Sequence, residues 1–431
     1  MTDTEERSAL AAFRWPDFRY LIVATACATT ASRALAVVLG YEVYALTNNP
    51  LALGGLGLVE ALPSISLALY GGHVADRHDR RLILCVTLLA LTLCGFALAL
   101  VSAFSSGRAQ LAVLYTVAFV AGIARGFSEP AASALEAQVV PRSLLINCAT
   151  LMASCWLMAG VLGPLAGGTA FAAVGGSWTY LSIASLYAIA FTAALRIEPK
   201  PAPPPPEEES IWQSVSTGVR YVLGDQVLLG SMALDLFAVL FGGAIALLPV
   251  FAKDILTVGP IGLGVLNAAP TTGALLTMLW ATRHPPVRHA GRNLFFSVAA
   301  FGVAMLVFAF SKSIYLSVIA LFFSGVFDGV SVVIRRAILR LMSPDHLRGR
   351  IAAVSMIFIG SSNELGAFES GVAAAALGAV RSVWIGATFT LTVVAGAAVF
   401  APKLRRLSLD PDSVAEHNAE AGAELETAVE A

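Results

Sequence analysis

Gly71-Gly72-His73-Val74-Ala75-Asp76-Arg77-His78-Asp79-Arg80-Arg81 is a charged interruption between two long apolar runs. Residues 51–70 before it carry one charged side chain, Glu60, and residues 82–104 after it carry none. Apolar runs of that length are membrane-spanning helix candidates. A connection this short makes the two helices antiparallel neighbours. Arg77, Arg80 and Arg81 place the connection on the cytoplasmic side, because basic residues concentrate there. Gly72 is expected to let the end of one helix approach another closely. Asp76 sits among positive charges, where it can pair with one or cap a helix N-terminus.

The whole chain repeats this grammar. Of its 431 residues 57% are hydrophobic and only 13% are charged, where a soluble domain carries about 25% charged residues. The composition describes an all-α, multi-pass membrane protein, and the net charge of −1 says nothing of partners because the charges are segregated. Residues 1–19 are polar and of both signs, so the first span is expected to stay in the mature chain. Cys27, Cys85, Cys94, Cys148 and Cys155 lie in or beside apolar segments without metal-ligand spacing and read as small buried residues.

Twelve spans are expected, near 18–46, 51–75, 82–104, 109–132, 143–173, 177–195, 225–250, 260–282, 293–311, 314–335, 351–375 and 382–401. They divide into an N-terminal segment (1–17), a six-helix bundle (18–195), a cytoplasmic Pro/Glu-rich linker (196–219), a second bundle (220–403) and an acidic tail (404–431), disordered from about Leu407. The halves repeat. PLALGGLGLVEALP at 50–63 parallels VGPIGLGVLNAAP at 258–270, and VVPRSLLINCATLM at 139–152 parallels LMSPDHLRGRIAAVSM at 341–356. Prolines recur at near-equal offsets, so two pseudo-symmetric bundles with a site between repeats are expected. Most of the 27 Lys and Arg fall in the termini, the linker and the even-to-odd connections, with Arg108, Lys253, Lys312 and Arg381 opposite. Both termini are therefore expected in the cytoplasm, in a cell (inner) membrane.

Gly-x-x-x-Asp-Arg-x-x-Arg-Arg at 72–81 resembles the signature connection between helices 2 and 3 of the major facilitator superfamily. Asp79 stands where that signature has glycine, a departure shared with the branch of enterobactin-type siderophore exporters and macrolide-efflux-like permeases. Gly160-Val161-Leu162-Gly163-Pro164-Leu165-Ala166-Gly167-Gly168 in the fifth span resembles the antiporter signature of exporters in this superfamily. Read from the residues alone, Gly160, Gly163, Gly167 and Gly168 make a packing groove and Pro164 bends the helix. The similarity extends from Phe13 to Arg406. It implies export of a small molecule by alternating access, with Gly72, Asp76, Arg77, Arg80 and Arg81 acting as a conformational gate. It also suggests that Asp76 meets the start of helix 11, near Arg348–Ile351.

Charges inside spans are costly and face a cavity or the bundle interior. They occur in span 1 (Arg33, Glu42), span 2 (Glu60), span 4 (Arg125, Glu129), span 7 (Asp235), span 10 (Asp328) and span 11 (Glu364, Glu369). In the superfamily's fold helices 1, 4, 7 and 10 line the cavity, and all four carry charge here. At about 1.5 Å per residue, Arg33, Glu60 and Asp235 fall roughly 14–22 Å deep, near the middle of a ~30 Å core. Arg125 and Glu129 are spaced to pair on one helix face, and Glu60 is one conceivable partner for Arg33. Asp235 is the first candidate for a proton-coupling carboxylate and Glu60 its rival. Arg33, Glu60, Arg125, Glu129, Asp235, Asp328 and Glu364 form the expected coupling and substrate set.

No nucleotide loop Gly-x-x-x-x-Gly-Lys-Ser/Thr is present, and no nucleophile–base pair or metal-ligand cluster stands at membrane depth. His73 and His78 read as loop residues. An enzyme, a metal centre, a cofactor and a nucleic-acid partner are therefore not expected. The leading reading is a monomeric exporter of an amphipathic or siderophore-like molecule, with protons as coupling ion and lipid around it. Proton-coupled uptake of a metabolite, or a permease-fold sensor, is the alternative.

Overall fold

A computed structural model describes residues 10–105, 107–200, 211–242, 244–284, 286, 288–344 and 347–409. Each expected span has a helical counterpart: α1 Pro16–Thr47, α2 Pro50–Arg77, α3 Arg80–Phe104, α4 Arg108–Glu136, then Leu145–Ala194, α7 Gln226–Gly242, α8 Gly259–Ala281, α9 Ala290–Phe310, α10 Ile314–Leu341, α11 Arg348–Leu377 and α12 Ala379–Phe400. Leu145–Ala194 is broken at Gly175, whose φ of 76° and ψ of 178° only glycine adopts cheaply. Its arms are α5 (145–174) and α6 (176–194). Ten stretches of the described residues are long and apolar enough to cross a membrane, the broken pair counted as one of them.

The opening stretch is tighter than its reading as a loop suggested. α2 continues through His73 to Arg77, and α3 begins at Arg80, so only His78 and Asp79 are non-helical. Asp79 supplies the cap: its Oδ1 accepts from the Arg81 N–H at 2.9 Å. This satisfies one of the free N–H groups of α3 and fixes the turn. Asp76, the residue expected to pair or cap, takes the first of these roles: it pairs with Arg80 at 3.6 Å across one turn while half exposed.

The chain forms two compact units. The first comprises Met1–Glu207 with Leu248–Ala268. In it α1 packs on α5 and α6, α2 on α4, and α3 on α4 and the Leu145–Ala194 helix. The segment 248–268, expected with the second bundle, belongs here for identifiable reasons. Pro249 packs on Gly40, the Tyr44 hydroxyl donates to Asp254 Oδ2, and Lys253 Nζ donates to Asn48 Oδ1 at 2.6 Å. Phe251–Ile255 forms a π-helical turn between these contacts.

The second unit comprises Glu208–Leu247 with Ala269–Ala431. There α9 packs on α10 and α12, and α7 on α11 and α12. The Pro-rich part of the expected linker, 201–210, lies outside the described residues, but Ile211–Gly224 is an amphipathic helix where linker was expected to run to 219. It rests on α11, with Gly218 close against the Arg350 carbonyl. At the other end Leu404, Leu407 and Leu409 are buried, and the Gly291 N–H donates to the Leu407 carbonyl at 3.0 Å. Residues 407–409, expected in the disordered tail, therefore belong to the packed unit because their leucines have apolar surface to bury.

The internal repeat extends to packing. A β-carbon on Gly122 of α4 would lie 2.7 Å from Pro63 Cγ and collide with the Glu60 carbonyl of α2. In the second unit a β-carbon on Gly325 of α10 would collide with the carbonyl of Pro270 on α8. Pro63 and Pro270 are the prolines matched in the sequence repeat. At the charged turn the close-approach glycine is Gly71, not Gly72. A β-carbon on Gly71 would strike the Gly126 carbonyl, whereas one on Gly72 meets nothing within 4 Å. Helix phase decides this, since adjacent residues point about 100° apart.

Candidate functional site

Four charges of the first unit meet. Arg125 on α4 donates to Glu60 Oε1 on α2 at 2.8 Å. Sequence spacing had pointed along α4, to Glu129, but Arg125 also reaches across to α2 because Gly122 lets the two helices touch one turn earlier. Arg33 on α1 and Glu129 on α4 complete the set, within electrostatic range of each other and of the Arg125–Glu60 pair. Arg33 makes no ion pair within 4 Å among the described residues. Its guanidinium carbon lies 4.6 Å from the centroid of the Trp156 ring on α5. Trp156 was not read from the sequence, where a tryptophan in an apolar run looks like any lipid-facing side chain.

Gly163 holds α1 and α5 together here. A β-carbon on it would stand 2.6 Å from Arg33 Cβ and 2.8 Å from the Thr30 carbonyl. Gly167 sits against Ala34, and Gly168 faces Gly264, with 3.1 Å to its Cα from an added β-carbon. Pro164 is buried, and its carbonyl lies close to Gly264. Gly160 is buried as well. The run thus packs α5 between α1 and the start of α8.

Glu42, nearer the opposite end of α1, is sealed away from this set. The Gln110 amide donates to its Oε1 at 2.5 Å and the Tyr180 hydroxyl to its Oε2, all three side chains being buried. A carboxylate with two committed donors ties α1, α4 and α6 together.

The second unit has its own charge centre. Arg335 on α10 contacts Asp235 Oδ2 on α7, and its Nη2 lies 3.7 Å from Asp328 Oδ1. Asp235 and Arg335 are nearly covered, whereas the Asp328 side chain is 46% exposed. The three line a cavity of about 210 Å³ together with Ser231, Ser355 and Asn363. Arg335 closes the expected tenth span, 314–335, and was not among the expected coupling residues. α10 runs past it to Leu341, so the guanidinium lies on the helix. The seven-residue spacing from Asp328 to Arg335 places both on one face after two turns, a legible signal. Asp235 therefore has an arginine beside it, and that arginine is Arg335. Arg336 also lines the cavity but is exposed. The side chain of Glu364 lies outside the described residues, although its backbone is helical in α11. Glu369 lies on the same helix, half-buried beside Ser370.

At the charged turn Arg80 donates to the Ala75 and Ala134 carbonyls at 3.0 and 3.3 Å, and Arg81 to the Leu195 carbonyl at 2.5 Å. These arginines close the exposed carbonyl ends of neighbouring helices, where positive charge also complements the helix dipole. Arg77 is exposed.

No group of three or more His, Cys, Asp or Glu among the described residues is placed to hold a metal ion. What the two centres can do is bind charged groups and exchange protons.

Known proteins resemble the chain end to end. A family model described as transmembrane secretion effector matches residues 7–429. The enterobactin exporter EntS of Shigella boydii serotype 18 is 24% identical over 412 residues, covering 93% of this chain and 95% of the relative. EntS of Escherichia coli O81 is 24% identical over the same length. Among solved structures, a POT family transporter in complex with 5-aminolevulinic acid superposes with a TM-score of 0.70 at 11% identity, covering 90% of this chain and 96% of that one. A bacterial homologue of the human lysosomal transporter Spinster gives 0.66 at 13% identity, covering 94% and 98%. Helices at membrane-spanning length, charges clustered inside them and these likenesses agree: the chain is a multi-pass membrane transporter and belongs to the transmembrane secretion effector family of the major facilitator superfamily.

Proposed function

We propose that this transporter exports a small amphipathic molecule of the siderophore type from the cytoplasm, in exchange for protons, by alternating access. The observation that carries the coupling is the Asp235–Arg335–Asp328 centre. Two carboxylates compete for one guanidinium, so the trio by itself carries a formal charge of −1 that a single proton removes. Arg336 lines the cavity without an ion pair among the described residues. Protonating either carboxylate leaves Arg335 to the other, so proton occupancy and the hold on Arg335 are linked. Asp328, half open and 3.7 Å away, is the entry point for the proton. Asp235 is the partner whose contact with Arg335 tightens or slackens in response.

The substrate class follows the relatives, which are named enterobactin exporters. The charged turn is the gate: Arg80 and Arg81 are committed to helix ends, while Asp76, paired with Arg80 one turn on, and Arg77 stay exposed. The chain works as a monomer in the cell membrane with both termini in the cytoplasm.

Inverted membrane vesicles test this directly. An acid lumen should drive accumulation of labelled enterobactin, and Asp235→Asn should abolish the gradient dependence while leaving substrate counterflow. Accumulation driven by an alkaline lumen would mean symport, and none under either gradient would remove the export reading. Cysteine labelling from outside at Asn48, and not at Ser214, checks the orientation.

A further inference from the structure

We infer that Arg33 and Trp156 form a subsite for an anionic group carried on a planar aromatic ring. The inference gives the export reading a substrate chemistry and rests on it for biological meaning, but binding can be measured without transport. Arg33 stands midway along α1 with no carboxylate within 4 Å among the described residues, and its side chain is exposed on the unit. Glu60, an acid within its electrostatic range, is already held by Arg125 at 2.8 Å. A cation at membrane depth without a close counter-ion is costly. Cation–π contact with Trp156 returns only about 0.5–2 kcal/mol. An incoming anion supplies the missing partner.

The geometry limits what that anion can be. The Arg33 stem is pinned where Gly163 admits α1 against α5, and its guanidinium lies 4.6 Å from the Trp156 centroid. A guanidinium engaged through one face keeps its N–H edge for a bidentate oxyanion. Its other face, and the half of Trp156 that remains exposed (51%), are flat and polarisable. Aromatic rings stack on both. A compact hydrated anion satisfies only the edge, and a neutral ring only the faces. A ring bearing a carboxylate or a phenolate satisfies both. Glu129, also within electrostatic range of Arg33, disfavours a multiply charged anion at this spot.

The probes are salicylate, acetate and phenol, titrated calorimetrically into the full-length protein in detergent. Salicylate should bind saturably and at least tenfold more tightly than either of the others. Arg33→Gln should weaken salicylate at least tenfold, Arg33→Lys several-fold, and Trp156→Leu several-fold while leaving acetate unchanged. Because a variant can fail to fold, the wild type gives a second readout. Salicylate should protect Arg33 from phenylglyoxal, read by peptide mass spectrometry, and acetate should not. Salicylate binding no tighter than acetate, unchanged affinity in folded variants, or unprotected Arg33 each overturns the subsite. Salicylate binding with no proton-driven export would leave the subsite standing and remove the transport mechanism, and the reverse outcome separates them equally.

Discussion

Replacing Asp235 with Asn strips the nearest counter-charge from a guanidinium that is only 13% exposed. Removing one partner of a buried ion pair costs about 3–5 kcal/mol, because the remaining charge is left uncompensated. Here part of the loss is offset. Asp328 remains 3.7 Å from Arg335, and a pair near 4 Å is attracted by about 4 kcal/mol at an effective dielectric of 20. Its side chain is 46% exposed, so water screens that attraction and the offset is nearer 1–2 kcal/mol. The expected net cost is about 1–4 kcal/mol. For a unit of this size each kcal/mol lowers the melting temperature by about 2–4 °C, giving a fall of roughly 2–16 °C in detergent thermal-shift measurements. Asp328→Asn leaves the tighter pair intact and should cost less than about 1 kcal/mol, a fall of a few degrees at most. Asp235→Leu combined with Arg335→Met should recover most of the loss of Asp235→Leu alone, since an apolar replacement of a buried pair is often neutral. The order of the single variants is the test. If Asp328→Asn destabilises as much as Asp235→Asn, or if the double replacement is as unstable as the worse single one, Arg335 is not anchored on Asp235 and the coupling scheme loses its basis.

Three further outcomes follow from the packing and the gate. Gly71→Ala drives a methyl group into the Gly126 carbonyl and should cost about 1–3 kcal/mol, while Gly72→Ala should leave the melting temperature within a degree or two; equal effects would mean the helix phase is wrong. Glu42→Leu leaves the buried Gln110 amide and Tyr180 hydroxyl without their acceptor, at about 1–3 kcal/mol for each stranded donor, and Glu42→Gln should lose less than half as much; both are read by thermal shift. Asp76→Asn should lower the maximal transport rate at least tenfold with substrate affinity changed less than threefold, measured in vesicles, and a pure affinity loss would take Asp76 out of the gate.

The amino-acid sequence was enough to decide that this is an all-helical, multi-pass membrane protein with charge confined to particular spans. Hydropathy, helix length and repeat offsets are local quantities, and the burial cost of a charge is the same wherever the chain leads. The boundary between the fifth and sixth spans, expected between 173 and 177, falls at Gly175. Which charges meet was not legible. Glu60 and Arg125 are held by the Gly122 contact between α2 and α4, Arg33 is turned onto Trp156 by the Gly163 contact between α1 and α5, and Asp235 finds Arg335 only when α7 and α10 are side by side. Those pairings depend on the rotational phase and approach of helices far apart in the chain. A rotation of one residue, as between Gly71 and Gly72, exchanges a tight contact for open space, and packing between helices, not the order of residues along one of them, sets that phase.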